Sequence, residues 1–278
     1  MKNTFTLSQI NIFPIKSLGG ISVETATVEP RGLQYDRRWM LVDESGQFMT
    51  QRTFAGMALL QVSLLPEGLE VRHKHKDISP LLIPFEPATD NLIQVQVWDD
   101  VCAAVEVSNL ANKWFTEALE RFARLVYMPE TTQRQADLEY AATGDVVSFA
   151  DAYPILLIGE NSLADLNSRL SQPVPMNRFR PSLVFTGGAP FAEDTWRHFR
   201  IGDLSFRGVK PCGRCVVTTI DQDTGQKSQE PLRTLATYRT PPGKNKILFG
   251  QNVIPDNYYR PVKIGDEIEI ISSGSVPD

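Results

Sequence analysis

Cysteine and histidine are both scarce, three of each in 278 residues. So few cysteines, with no paired framework, exclude a disulfide-stapled secreted scaffold and fit a reducing compartment. His73, His75 and His198 show no zinc spacing relative to a cysteine pair, and nothing resembles a Ser-His-Asp triad. Long apolar runs are missing too. The longest obvious one, Ile155-Leu-Leu-Ile158, is far too short to span a bilayer. The N-terminus lacks the apolar core of a signal peptide. Basic excess is absent: the formal net charge is −5, which argues against a general nucleic-acid surface. The expectation from these absences is a cytoplasmic protein with no membrane and no nucleic-acid partner.

What is present is ordinary globular material, 42% hydrophobic and 22% charged, enough to bury a real core. Residues 4 to 100 read as short strands. Phe5 to Phe13 and Ile21 to Val28 alternate with a period near two. Arg38–Asp43 and Gln47–Thr50 flank a hairpin turn at Glu44-Ser-Gly46. Further strands are expected at 59–65, 69–73, 80–84 and 93–98, and many short strands with regular turns suggest a barrel or sandwich. A helix is expected over 109–123, capped by Ser108 or Asn109, with Leu110, Trp114, Phe115, Ala118, Leu119 and Phe122 on one face. Pro129 to Gly144 is a polar loop, and the domain boundary falls near its start. The division expected is therefore 1–128, 129–272 and a linker-like tail at 273–278. In the second half, 160–170 reads as a short helix and 183–186 as a strand. Strands are expected at 204–209 and 215–221, and a strand pair at 262–271 closes the chain.

The chemistry concentrates in Lys210-Pro-Cys-Gly-Arg-Cys-Val-Val-Thr-Thr-Ile-Asp221. Two of the three cysteines lie here, flanked by Lys210 and Arg214, and nearby cations favour the thiolate that binds metals or attacks. The branched run Val216–Ile220 predicts a strand with Cys215 at its head. A structural zinc site lacks its second pair of ligands. A redox pair normally opens a helix, and a strand is expected instead. Buried small hydrophobes, a single-thiolate metal site and redox chemistry all remain open on the residues alone. Asp221, Asp223 and Gly225 read as a β-turn.

Cys212-Gly-Arg-Cys-Val-Val-Thr-Thr-Ile-Asp221 followed by Asp223-x-Gly225 resembles the cysteine loop of MOSC-domain proteins. Five further motifs occur in the same order as in the bacterial YcbX-type proteins and the mitochondrial amidoxime-reducing component. They are Ile12-Phe-Pro-Ile-Lys-Ser17, Leu33-x-x-Asp-Arg-x-Trp-Met-Leu-Val42, Ser162-Leu-Ala-Asp-Leu-Asn167, Phe179-Arg-Pro181 and Leu248-Phe-Gly-Gln251. The resemblance implies an α+β, mostly β fold: an N-terminal β-barrel-like domain packed on a MOSC β-barrel domain with a few helices.

It also implies a molybdenum cofactor, Mo-molybdopterin, with Cys215 as the metal ligand and catalytic residue. A soft thiolate suits this metal. Lys16, Ser17, Arg37 and Arg180 match cofactor contacts of the family, and Arg180 is expected to be extended because a proline follows. Asp151 matches a residue near the cofactor. Arg178 and Ser182 both stand where relatives often carry asparagine. The activity implied is reduction of N-hydroxylated compounds, such as hydroxylated base analogues and amidoximes, to amines or amidines, a detoxifying oxidoreductase chemistry. The alternative is a carrier of the cofactor, or a sulfur-transfer module, without turnover. Ferredoxin-type cysteine spacing is absent after Cys215, so electrons are expected from a separate donor protein, ferredoxin-like or a flavoprotein reductase, or from a domain beyond this chain.

Overall fold

A computed structural model describes residues 4–274. Strands hold 41% of the residues and helices 15%, so the mostly β expectation holds. The largest sheet closes on itself. Going round, its strands are Leu183–Thr186, Ile155–Gly159, Ile247–Pro255, Leu204–Arg214, Trp196–Ile201, Glu267–Ser273 and Phe5–Ile12. Phe5–Ile12 then pairs back onto Leu183–Thr186, completing a seven-stranded barrel. Closure removes the free edges that open sheets must protect. The only parallel pair in the ring, Ile155–Gly159 with Leu183–Thr186, needs a crossover, and the helix Glu160–Ser168 supplies it.

Sequence order and spatial grouping part here. Phe5–Ile12 stands at the start of the chain, yet it is a stave of the barrel built by the second half. Its buried face, Leu7, Ile10 and Ile12, packs with Phe199, Phe206 and Val253. The chain then leaves this barrel and builds the other lobe. That lobe has a four-stranded sheet of Trp39–Val42, Arg124–Tyr127, Asp100–Glu106 and Leu92–Val97, and a three-stranded sheet of Leu60–Leu65, Gly68–His73 and Leu81–Pro84. The two enclose one apolar cluster with Trp39, Leu60, Val71 and Phe115. A small sheet of Arg260–Lys263, Thr25–Glu29 and Gly32–Leu33 again joins early and late residues.

Several local expectations change. The helix runs Asn109–Leu119 and is capped by Ser108, whose side chain accepts from the Ala111 N–H. Its buried face is Ala111, Phe115 and Ala118, whereas Leu110 is 69% exposed and Phe122 lies beyond the helix. The helix stops at Glu120, which is left-handed, so the apolar positions after it fall off the predicted stripe. Val216–Thr219 is a 3-10 turn, not a strand, and Cys215 caps it. Thr218 and Thr219 hydroxyls donate to the carbonyls of Cys215 and Val216, three residues back. That local bonding outcompetes the strand preference of branched residues. The strand before it continues through Cys212 to Arg214. The last two expected strands do not pair with each other: Arg260–Lys263 pairs with Thr25–Glu29, and Glu267–Ser273 pairs with Trp196–Ile201. Ser272 and Ser273 therefore belong to a barrel strand, while 275–278 of the expected tail lie outside the described residues.

The barrel is tight at Gly208. A Cβ there would sit 2.1 Å from the Trp196 carbonyl oxygen on the neighbouring strand, and backbone cannot swing aside as a side chain can. Gly208→Ala is expected to lower unfolding free energy by about 1–3 kcal/mol. Denaturant unfolding checks this; an unchanged midpoint would contradict the close approach.

Candidate functional site

The two lobes meet at a cleft lined by Lys16, Ser17, Arg37, Asp151, Arg180 and Cys215, together with Arg52, Trp98 and Arg214 among others. Six residues expected from sequence thus come together from positions spread over some two hundred residues. The cleft encloses about 150 Å³, less than the roughly 300–1,000 Å³ of a typical small-molecule pocket. The seventh, Ser182, stands behind the wall. It is fully buried, and its hydroxyl lies 3.4 Å from Arg37 Nη1.

Lys16 and Ser17 follow directly from the barrel strand Phe5–Ile12, so the barrel aims them. Lys16 is 6% exposed. Its ammonium donates to the Phe149 carbonyl at 2.7 Å and to Asp151 Oδ1 at 2.6 Å. Burial pushes the Lys16 pKa down, and Asp151 works against that. The protein around Asp151 opposes ionisation, but Lys16, the Trp98 N–H and Arg52 outweigh it and hold the carboxyl below the usual range. Asp151 sits at the mouth, its side chain 63% exposed. Its loop is pinned from behind by Arg134, which donates to the carbonyls of Ser148, Ala150 and Asp151.

Arg37 forms an ion pair with the buried Asp36, which also accepts from the Phe13 N–H at 2.7 Å. Burial pushes the Asp36 pKa up, with Arg37 countering. Arg37 and Arg180 both place their guanidinium carbons over the Phe13 ring, at 4.7 and 4.3 Å. Arg37 Nη2 also donates to the Arg180 carbonyl at 3.3 Å. Arg180 is left-handed, φ +55°, rather than extended. Proline disfavours the right-handed helical region for the residue before it, and left-handed geometry avoids that region as well. Ser17 and Arg37 share positive φ, at +68° and +52°. Such backbone is locally costly and gathers at sites where the surrounding structure over-determines it.

Cys215 Sγ accepts from Arg52 Nε at 3.3 Å. The cations adjacent in sequence point elsewhere. Lys210 pairs with Asp137 and Glu139. Arg214 donates to Cys212 Sγ at 3.1 Å and to the Phe179 carbonyl at 2.6 Å. Arg52 and Trp98 were not expected from sequence. Neither carries a local signal: each is an ordinary surface-type residue in a turn until the fold brings it to the sulfur. Asp221 makes the expected turn with Asp223, Thr224 and Gly225, and also pairs with Arg178. Gly250 does not face the cleft; a Cβ there would lie 2.7 Å from Ile158, so strand packing requires the glycine.

The lining cations are Lys16, Arg37, Arg52, Arg180 and Arg214, against one carboxylate, Asp151. Burial and the neighbouring Arg37 push Arg180 down to about 9, and its Nη2 is buried without a hydrogen-bond partner. An anion in the cleft would relieve the repulsion and satisfy that donor. Among the described residues no cluster of three His, Cys, Asp or Glu side chains could hold a metal. Two cysteines, five cations and a carboxylate fit a metal brought in by an anionic organic chelate; they do not fit a metal held by protein ligands alone.

Residues 4–122 match the model of the MOSC N-terminal beta barrel domain, and residues 144–269 that of the MOSC domain. Mitochondrial amidoxime-reducing component 1 of Mus musculus is 33% identical over 282 residues, covering 96% of this chain and 82% of that protein. The Homo sapiens protein of the same name is 32% identical over 284 residues, covering 96% and 83%. Molybdenum cofactor sulfurase of Oryza sativa subsp. japonica is 34% identical over 263 residues, covering 88% of this chain and 32% of the sulfurase.

Asp151 ionises more readily in the fold than in the unfolded chain. Its contribution to stability is therefore present above the unfolded pKa of about 3.9 and is lost as pH falls from there toward the folded value. The stability gap between wild type and Asp151→Asn should be open at neutral pH and close as pH drops below about 4. Denaturant midpoints across acidic pH measure it; a gap that widens in acid would refute the assignment.

Proposed function

The chain belongs to the family that joins a MOSC N-terminal β-barrel domain to a MOSC domain, and from that premise we propose that it is a molybdenum cofactor-dependent reductase of N-hydroxylated compounds. The observation that carries the reading is that Cys215, with Cys212 beside it, meets five cations in a single cleft between the lobes. Cys215 would hold the metal. Arg180 and Lys16, with the Ser17 hydroxyl, would hold the phosphate of Mo-molybdopterin. Arginine's planar fork suits bidentate contact with phosphate. Arg37 steadies Arg180 through its carbonyl and the shared Phe13 ring, and Ser182 stands behind Arg37. Asp151, held ionised at the mouth, would accept from N–H groups of the pterin or of a bound amidine.

When bound, the cofactor supplies a two-electron couple that removes the hydroxyl oxygen of an N–OH group as water, leaving the amine or amidine. The protein's part is to bind, orient and balance charge. The two named amidoxime-reducing relatives support amidoximes as a substrate class, and hydroxylated base analogues share the same N–OH chemistry. Removing them is detoxification. A donor protein, ferredoxin-like or a flavoprotein reductase, would supply the electrons. No helix among the described residues is long and apolar enough to cross a membrane, and we place the activity in the cytoplasm. A second reading, cofactor carriage or sulfur transfer from Cys215, draws on the sulfurase similarity and on Cys212, which lines the same cleft beside Arg214.

Protein from a cofactor-competent host should contain molybdenum, and Cys215→Ser should not; equal metal in both would remove Cys215 from the ligand role. The wild type should reduce benzamidoxime with a viologen donor and not with NADH alone. Metal without turnover under viologen would favour the carrier reading. Arg180→Gln forfeits a charge-assisted contact of about 2 kcal/mol, so cofactor affinity should fall about thirty-fold, read as molybdenum retained on dialysis.

A further inference from the structure

Of the cations in the cleft, Arg52 alone hydrogen-bonds to the Cys215 sulfur, at 3.3 Å from Nε. Its guanidinium carbon lies 4.1 Å from the Trp98 ring centroid. The Trp98 indole N–H donates at 3.1 Å to Asp151 Oδ1, the oxygen that also takes Lys16 Nζ at 2.6 Å. Trp98 holds φ +56°, costly for a bulky residue, so the hairpin between Leu92–Val97 and Asp100–Glu106 presents the ring there at a price in backbone energy.

The segment bearing Arg52 is held from both lobes. The Arg52 carbonyl accepts from Lys227 Nζ at 3.0 Å. The adjacent Gln51, fully buried, donates to the Ser17 carbonyl at 2.7 Å and exchanges amide hydrogen bonds with Gln222. A guanidinium fixed at its backbone and stacked on a fixed ring has little freedom to leave the sulfur.

The geometry points to Arg52 as a positioning residue for the Cys215 sulfur, with Trp98 as its clamp. Together they aim the sulfur into the cleft and set the hydrogen bond it carries as a metal ligand. Hydrogen bonds to a ligand's sulfur orient it and tune the metal it holds. This rests on the reading of Cys215 as that ligand. The chain of contacts also couples the sulfur to Lys16, the cation assigned to the phosphate, so the metal end and the phosphate end of the cleft share one scaffold. Lysine at 52 would keep the charge and lose the planar stack. Phenylalanine at 98 would keep a ring under Arg52 and lose only the bond to Asp151.

Two readouts test this besides turnover, with thermal midpoints to confirm folding. In cofactor-free protein at one fixed pH, iodoacetamide alkylation of Cys215 is followed by peptide mass. In protein from a cofactor-competent host, molybdenum per chain is counted after dialysis. Arg52→Gln should change the alkylation rate, since the sulfur loses the contact that fixes its direction, and should lower retained molybdenum about ten-fold. Arg52→Lys should fall between. Trp98→Ala should follow Arg52→Gln, and Trp98→Phe, which keeps a ring under Arg52, should fall between Trp98→Ala and wild type; this pair carries the comparison if Arg52→Gln does not fold. Cys215→Ser in the same series separates the two claims. If it loses its metal while folded Arg52→Gln, or folded Trp98→Ala, matches wild type in both readouts, the Arg52 proposal fails and the ligand reading stands. Equal metal in wild type and Cys215→Ser overturns both.

Discussion

The site depends on one buried charge. Lys16 lies almost out of water at the seam between the lobes, and an ammonium in that position is tolerated only if it is met by acceptors. The Phe149 carbonyl and the Asp151 carboxylate meet it. Both belong to a loop that the buried Arg134 holds by the carbonyls of Ser148, Ala150 and Asp151. The early strand that delivers Lys16 and the later loop that receives it are therefore locked together. The cleft wall builds outward from that junction: Ser17 beside Lys16, Trp98 on the Asp151 oxygen that Lys16 also takes, Arg52 on Trp98, and the sulfur on Arg52.

Beyond that junction the cleft holds positive charge in excess. Arg37 has its own carboxylate, Asp36, buried beside it. Arg180 forms no ion pair with a carboxylate among the described residues and keeps a buried donor unpaired. Uncompensated guanidinium in a cleft is costly to the empty protein and useful to a protein that binds an anion, because the ligand relieves the cost. The left-handed backbone at Ser17, Arg37 and Arg180 has the same character. Each position departs from the geometry its residue type prefers, and all three line the same cleft.

Legibility varied with the range of the interactions involved. Phe5–Ile12 was readable as a strand from its alternation, and Ser108 as a cap, because neighbouring residues decide both. The motifs carrying Lys16, Arg37, Arg180 and Cys215 were legible as a set. The form of the cysteine turn was not. Val216 to Ile220 has a strand's composition, yet two threonine hydroxyls turn it back on itself. The expected helical stripe ran past Leu119, where the helix ends, so Phe122 falls outside it, while Leu110 in the first turn faces solvent.

By itself, the sequence determined the mostly β character, the scarcity of metal ligands beyond one thiol pair, and which cations to suspect, since these follow from composition, local periodicity and motif. Tertiary structure alone decided that Phe5–Ile12 is a stave of the second half's barrel, that Lys210 and Arg214 turn away from Cys215, and that Arg52 reaches it instead. Those outcomes depend on ring closure and on contacts across the fold, and no local pattern records which distant side chain a folded backbone will bring within 3.3 Å of a sulfur.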